Sequence, residues 1–200
     1  MTAKDMIKVA INLVVIYLAG GLLLAFVYAN TSPVIFKKIK QETEEALKKL
    51  MPEAGSIAEA GKWEPLHKHA AYYEAKTGDD VIGYVAETYG KGYSSYIHIL
   101  VASDKEFHVK KIKVLGHAET PGLGDEIEKD YFVNQYDGKD IDHLLVLKTE
   151  TTDMIQAISG ATISSRAVTQ GVKDGLAFIK DTYGGGGTEP AAHQEKEAGK

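Results

Sequence analysis

The stretch that most limits how this chain can fold is an uninterrupted apolar run near its N-terminus. Residues 9–29 read VAINLVVIYLAGGLLLAFVYA, and Asn12 is their only strongly polar side chain. As an α-helix, about 21 residues rise roughly 31 Å, which matches the hydrocarbon core of a bilayer. A cleaved signal peptide would have a shorter apolar region, about 7–15 residues, and no convincing cleavage site follows. The run predicts a retained transmembrane helix.

The lysines on either side of this run leave its orientation open. Lys4 and Lys8 precede it, whereas Lys37, Lys38 and Lys40 follow it. Positive charge in short flanking segments favours the cytoplasmic side of a membrane. The number of lysines is therefore slightly higher after the run, which favours a cytoplasmic rather than an external C-terminal domain.

Composition excludes several kinds of site. The 200 residues include no cysteine and carry a formal net charge of −5. Without cysteine there is no disulfide, no thiolate zinc site, no cysteine-bound iron–sulfur cluster and no covalent c-type haem. The seven histidines show no tight metal-ligand spacing, so we predict no metal site. The mild acidity gives no electrostatic footprint for nucleic acid.

The chain is expected to have four parts. After the anchor, Thr31 or Ser32 can cap a second helix with Pro33 at its first position. The C-terminal segment YGGGGTEPAAHQEKEAGK lacks apolar periodicity and is expected to be disordered. The predicted parts are a transmembrane anchor (1–30), a stalk helix (31–52), a globular domain (53–183) and a glycine-rich tail (184–200).

The globular part predicts an α+β fold with an antiparallel sheet and flanking helices. Strands are predicted for DVIGYVAETY, YIHILVASD, FHVKKIKVLGH and IDHLLVLK. The segment GDEIEKDYFVNQY predicts a short helix with Ile127, Tyr131 and Phe132 facing inward. A longer amphipathic helix follows, with Gly171 and Gly175 on or beside its apolar stripe, which consists of Ile163, Ala167, Val168, Val172, Leu176 and Ile179.

Three short stretches have residue types suited to binding chemistry. ISGATISS, residues 158–165, stands at the start of the amphipathic helix, where free amides and the positive dipole end suit a phosphate. HAETPGLG, residues 117–124, offers backbone amides to the edge of a flat polar ring, and YGKGYSSY, residues 89–96, offers aromatic faces. Taken singly, each is also explained by an ordinary capping turn, a structural turn or a sheet-surface aromatic.

Taken together and in this order, the transmembrane helix, GYSSY, HAETPGLG and ISGATISSRAV resemble the FMN-binding domain of the G subunit of Rnf complexes. The C subunit of sodium-translocating NADH:quinone reductase is related. The resemblance implies that FMN is attached through its phosphate to Thr162, as a phosphoester made by a flavin transferase that uses FAD. The family's attachment motif often has an acidic residue three positions before its serine, where this chain has Gln156, with Asp153 further upstream.

The same resemblance implies a set of cofactor-binding residues and no catalytic residue. Glu119 and Thr120 would hydrogen-bond near the isoalloxazine edge, and Leu123 would contact its face. Lys148 would place a cation near the N1/O2 region. The full set implied for the cofactor is Gly92, Tyr96, Glu119, Thr120, Leu123, Gly124, Lys148, Ser159, Gly160 and Ala161, with the bond to Thr162.

The function implied is an electron carrier rather than a stand-alone enzyme. Rnf complexes couple electron transfer between ferredoxin and NAD to sodium or proton movement. This chain would relay electrons at the extracytoplasmic face of the cytoplasmic membrane, with the other membrane and redox subunits as partners. The alternatives are a flavinylated respiratory or sensory module outside Rnf and a flavin-free, membrane-tethered binding domain.

Overall fold

The computed structural model describes residues 3–185, apart from the side chain of Phe36. Two compact units divide the chain, Met1–Glu44 and Glu45–Lys200. Most of the predicted glycine-rich tail, residues 186–200, lies outside the described residues.

The first element is one long helix, α1, Ala3–Leu50. One 18-residue window of α1 has a mean hydropathy of 2.4 and none of it is buried, so the helix is long and apolar enough to cross a membrane. The predicted start of a second helix at Thr31–Pro33 is wrong, because Pro33 lies inside α1. Polar groups here bond within the helix instead of capping a new one: Asn30 Nδ2 donates to the carbonyl of Phe26 at 2.7 Å.

Five antiparallel strands follow, and each pairs with the next along the chain. The predicted antiparallel sheet is therefore confirmed. Strands β1 and β2 were not predicted. The sequence of β1, SIAEAGKW, mixes small and charged residues without a clear alternation, and that of β2, AAYYEAKT, also lacks one. The strands are β1 Ser56–Trp63, β2 Ala70–Thr77, β3 Asp80–Lys91, β4 Tyr96–Ser103 and β5 Val109–Gly116.

Short elements connect the sheet to the last helix. A 3₁₀ turn at Gly124–Glu128, the helix α2 at Asp130–Val133 and a 3₁₀ turn at Asn134–Tyr136 replace the single short helix predicted here. Ile127 and Phe132 are buried as predicted, but Tyr131 is 57% exposed because the broken helix changes the phase of its side chains.

The predicted strand IDHLLVLK is mostly irregular. Only β6, Val146–Leu147, is extended, and it pairs in parallel with β7, Ile155–Gln156. The last element is α3, Thr162–Tyr183.

The sheet has an apolar cluster on each face. One face packs against α3 through residues that include Val168, Val172 and Leu176. The other packs against the end of α1 and includes Leu47 and Leu50.

Gly171 allows close packing of α3 on the sheet. A Cβ atom there would lie 3.2 Å from the backbone of both Tyr89 and Gly90, and Thr88 Oγ1 donates to the Gly171 carbonyl at 3.0 Å. Ile163 does not belong to the buried stripe; it is 54% exposed because the helix has only just begun at this point.

Candidate functional site

A cavity of about 410 Å³ lies at the N-terminal end of α3. Its volume falls within the range of roughly 300–1,000 Å³ that small-molecule sites occupy. The cavity is formed by the β3–β4 turn, the loop that follows β5, and the beginning of α3. Its lining residues are Tyr93, Glu119, Thr120, Leu123, Gly124, Gly160, Ala161, Thr162, Ile163 and Ser164.

The turn that leads into α3 is fixed by its own backbone and by Ser165. The amide of Ala161 donates to the carbonyl of Ile158 at 3.0 Å, and Gly160 has a φ of +80°, which favours glycine. Ser165 Oγ accepts from the Ile158 amide and donates to the Ala161 carbonyl, both at 3.0 Å. Ser165 is therefore used to hold the turn and is not available to a ligand.

The first turn of α3 presents unpaired amides. Ala161 is the N-cap residue and provides no side-chain cap. Within residues 3–185, no acceptor is hydrogen-bonded to the amides of Thr162, Ile163 or Ser164. Together with the positive end of the helix dipole, these amides form a site that favours an anion such as a phosphate.

Glu119 joins the three segments that form the cavity. Its side chain is buried and accepts hydrogen bonds from the amides of Tyr93 at 3.2 Å and Ser94 at 3.0 Å. Ser164 Oγ on α3 also donates to it. Burial alone would raise the pKa of this carboxyl, but the bonds from Ser164, Ser94, Tyr93 and Ser95 hold the pKa of Glu119 below its usual value.

Two glycines allow this close arrangement. A Cβ atom on Gly92 would lie 2.4 Å from Glu119 Oε1, and one on Gly124 would lie 2.7 Å from Glu119 Cβ. Any larger residue at either position would push Glu119 away from its donors. Gly92 and Gly124, which both lie in the predicted motifs, therefore need to be glycines because the Glu119 side chain occupies the space beside them.

His117 holds the loop from its other side. Its Nδ1 accepts the amide hydrogen of Glu119 at 3.1 Å, while Nε2 lies 3.0 Å from a carboxylate oxygen of Glu128. This pair of contacts corresponds to an imidazole with its hydrogen on Nε2. The loop is thus tied to the 3₁₀ turn that follows it.

Most of the predicted site residues meet at this cavity. Glu119, Thr120, Leu123, Gly124, Gly160, Ala161 and Thr162 line it. Gly92 borders it through Glu119. Tyr93, Ile163 and Ser164 were not predicted as cofactor contacts, although Tyr93 lies inside the GYSSY motif and the other two lie inside ISGATISS.

Besides Gly92, three predicted residues lie outside the cavity lining. Ser159 is exposed in the turn before α3, and Lys148 is exposed just after β6. Tyr96 is 40% exposed, and its ring faces Lys68 Nζ at 4.7 Å from the ring centroid. Direct cofactor contacts for these three residues stay predictions.

Comparisons with a family model and with known proteins point to the same family. The FMN-binding domain family matches residues 92–177. The G subunit of the proton-translocating ferredoxin:NAD(+) oxidoreductase complex of Clostridium ljungdahlii is 35% identical over 175 residues, which cover 87% of this chain and 91% of that one. The G subunit of the ion-translocating oxidoreductase complex of Methanosarcina acetivorans is 28% identical, covering 91% and 98%.

Among solved structures, Shewanella oneidensis NqrC is similar, with 23% identity, a TM-score of 0.48, and coverage of 58% of this chain and 63% of that one. The sequence relatives span nearly the whole chain, and the matched domain contains every residue of the cavity lining. The chain therefore belongs to the family of G subunits of ion-translocating oxidoreductase (Rnf) complexes and contains that family's FMN-binding domain.

Proposed function

We propose that this protein is a membrane-anchored electron carrier whose FMN is bound covalently to Thr162. Its relatives are named as subunits of complexes that translocate ions, one of them with ferredoxin and NAD+ as redox partners. By similarity, this chain would relay electrons inside such a complex. The flavin, when bound, supplies the redox step, while the protein positions it and tunes its surroundings.

The observation that supports Thr162 as the attachment residue is the state of its hydroxyl. Ser165 Oγ is used within the turn and Ser164 Oγ donates to Glu119. Ser159 is exposed outside the cavity lining. Among residues 159–165, Thr162 alone has a hydroxyl that lines the cavity and has no hydrogen-bond partner in the described part of the chain. It stands at the first residue of α3, beside the unpaired amides.

The cavity residues suit the two chemically different parts of FMN. The amides at the start of α3 would stabilise the negative charge of the phosphodiester. Leu123, Tyr93 and Ile163 are all more than 40% exposed around the cavity and offer apolar surface for the isoalloxazine ring. Thr120 offers a hydroxyl for its polar edge. Since the Glu119 carboxylate already accepts several protein hydrogen bonds, we assign Glu119 to positioning these walls.

The proposal includes partners and a location. The partners are the other membrane and redox subunits of the complex, the bilayer, and a flavin transferase that acts during maturation. We place the FMN domain on the extracytoplasmic side, with α1 as a single span. The apolar window of α1 supports the membrane anchor, whereas the side follows from family similarity.

The attachment is tested by coexpressing the chain with a flavin transferase and measuring intact mass and in-gel flavin fluorescence. We expect the wild type to gain the mass of one FMN less one water. Thr162→Ala should lose both signals completely, because alanine has no oxygen to esterify, whereas Thr162→Ser retains an acceptor oxygen.

Thr152→Ala is the matched control, since Thr152 is an exposed threonine outside the cavity; it should be labelled like the wild type. Fluorescence of the single tryptophan, Trp63, reports whether each variant is folded. A label that persists in Thr162→Ala would contradict the assignment. A wild type that gains no mass would instead favour a flavin-free, membrane-tethered binding domain.

A further inference from the structure

The outer edge of strand β5 is largely unpaired. This strand is the last in the sheet, so only β4 pairs with it. On the outer side, Val109 exchanges hydrogen bonds with Gly138 and Lys139 at 2.7 and 2.8 Å. Beyond Val109, no other described segment forms a backbone hydrogen bond with this edge. An open edge of this kind is a template for an additional strand.

A groove of about 350 Å³ follows this edge. Its floor is partly apolar, and its rims are charged. The lining residues are Ala46, Lys49, Leu50, Lys111, Ile112, Lys113, Glu128, Asp130, Val133 and Asn134.

The charges of the groove are separated by the pleat of β5. Lys111 and Lys113 pair across the sheet with Ala102 and Leu100, which belong to the apolar cluster at the end of α1. The two lysines therefore lie on that face, together with Lys49 from the last turn of α1.

The opposite rim is acidic. Ile112 points to the other face of the sheet, where it belongs to the cluster that contains α2. Glu128 and Asp130 lie on this side. An extended segment in the groove would thus meet cations with every second side chain and anions with those between.

The three lysines on this rim form no close ion pair in the described part of the chain. Within residues 3–185, none of Lys49, Lys111 and Lys113 has a carboxylate oxygen within 4.0 Å. The neighbouring Lys110, by contrast, is paired with Glu53. One rim of the groove therefore carries three lysines that form no close ion pair within the described residues, although the charge of Lys111 also acts on the Asp137 carboxyl.

This chain contains a segment with the complementary alternation. Residues 194–198 read QEKEA and place Glu195 and Glu197 on one side of an extended segment, with Lys196 on the other. They lie outside the described residues, and the chain that leads to them leaves α3 next to β5. A Cβ on Gly184 would lie 3.3 Å from the ring of Phe107, which is two residues before β5.

The connecting chain is long enough. Eight residues, 186–193, connect the described chain to this segment, and random-coil statistics give a chain of that length an r.m.s. span of about 16 Å. Lys111 and Lys113 lie four and six residues beyond Phe107, or about 13–20 Å along an extended strand.

We propose that residues 194–198 dock along the outer edge of β5 as a sixth strand, with Glu195 and Glu197 against Lys111 and Lys113 and with Lys196 toward Glu128 and Asp130. Exposed ion pairs are individually weak and are screened by salt. A short tether, however, gives an effective concentration of about 1 mM. A segment with a comparable intrinsic Kd is then docked half of the time. Docking of residues 194–198 along the edge of β5 is therefore reversible.

Carbodiimide coupling of the full-length protein in detergent tests the contact directly. The reagent joins carboxylates to lysine amines only where they touch. We expect peptides that join Glu195 or Glu197 to Lys111 or Lys113, and fewer of them at high salt. Lys62, an exposed lysine on β1, is the matched control and should not couple to these glutamates. A mixture of isotopically light and heavy chains should give almost no mixed products.

Charge reversal provides the decisive variants. Lys111→Glu with Lys113→Glu should abolish the coupling, and adding Glu195→Lys with Glu197→Lys should restore it with the partners exchanged. In hydrogen exchange, β5 amides should exchange about twofold more slowly in the full chain than in a chain truncated after Gly185, as expected for half occupancy.

Several results would overturn the proposal. Equal coupling to Lys62, coupling only between chains, identical exchange in the truncated chain, or a charge swap that fails to restore contact would each do so. Protection of β5 that requires another protein of the complex would assign the groove to that protein instead.

Discussion

At the scale of single residues, one buried carboxylate determines the geometry of the site. Glu119 is bonded to amides 25 and 26 residues before it and to a hydroxyl 45 residues after it. The motif made Glu119 a candidate flavin ligand, yet its nearest partners are protein groups. Sequence could not reveal this, because the role depends on contacts between segments far apart in the chain.

Glu119→Gln should destabilise the domain at neutral pH by about 1–3 kcal/mol, because an amide NH₂ would face donors that now point at a carboxylate oxygen. The pKa of Glu119 is lowered in the folded protein. Its stabilising effect is therefore present above the unfolded pKa, about 4.3, and is lost as the pH falls through the folded value.

Chemical unfolding followed by Trp63 fluorescence checks this. The difference between wild type and Glu119→Gln should be largest at pH 7 and should shrink below pH 4. A difference that stays constant over this range would show that the ionised form of Glu119 is not what stabilises the site.

At the scale of elements, two glycines four residues apart on α3 have different surroundings. A Cβ on Gly171 would meet the backbone of β3 at 3.2 Å and Ile99 Cδ1 at 2.9 Å, whereas one on Gly175 would meet only side chains, at 3.4–3.5 Å. Both lie in the same helix, so the gain in helix propensity on changing either to alanine is the same, about 1 kcal/mol.

Gly171→Ala should therefore lose net stability, because overpacking costs about 1–3 kcal/mol, while Gly175→Ala should be neutral or more stable. Urea unfolding of the two variants gives the comparison. Equal effects in both would mean that α3 does not rest on β3 as closely as these distances indicate.

An element could be predicted from the sequence when its own residues carry a clear periodic pattern. Strands β3, β4 and β5 and helix α3 have strong periodicity of their own, and each was predicted. Strand β1 has little, because it is held by its pairing with β2. Pro33 predicted a helix boundary, but the helix-forming sequence on both sides of it outweighs a local cost of about 3 kcal/mol.

At the scale of the whole molecule, the absence of cysteine makes the membrane orientation measurable. The sequence contains none, so a single introduced cysteine is a unique label. Lys105→Cys lies in the exposed turn before β5, and Lys4→Cys lies near the start of α1.

In intact cells, a membrane-impermeant maleimide should label Lys105→Cys, while Lys4→Cys should react only after permeabilisation, because the proposed orientation puts the domain outside. The reverse pattern would place the FMN domain in the cytoplasm and would agree with the lysine count.

The position of α3 along the chain also sets an order of events during synthesis. The other walls of the cavity, residues 93–124, leave the ribosome before α3 does, and α3 is held in place through Val172, Leu176 and Ile179 near its end. The pocket is complete only once these last contacts of α3 have been translated. Under the proposed chemistry, colour on this polypeptide would therefore mark chains in which α3 has docked on the sheet.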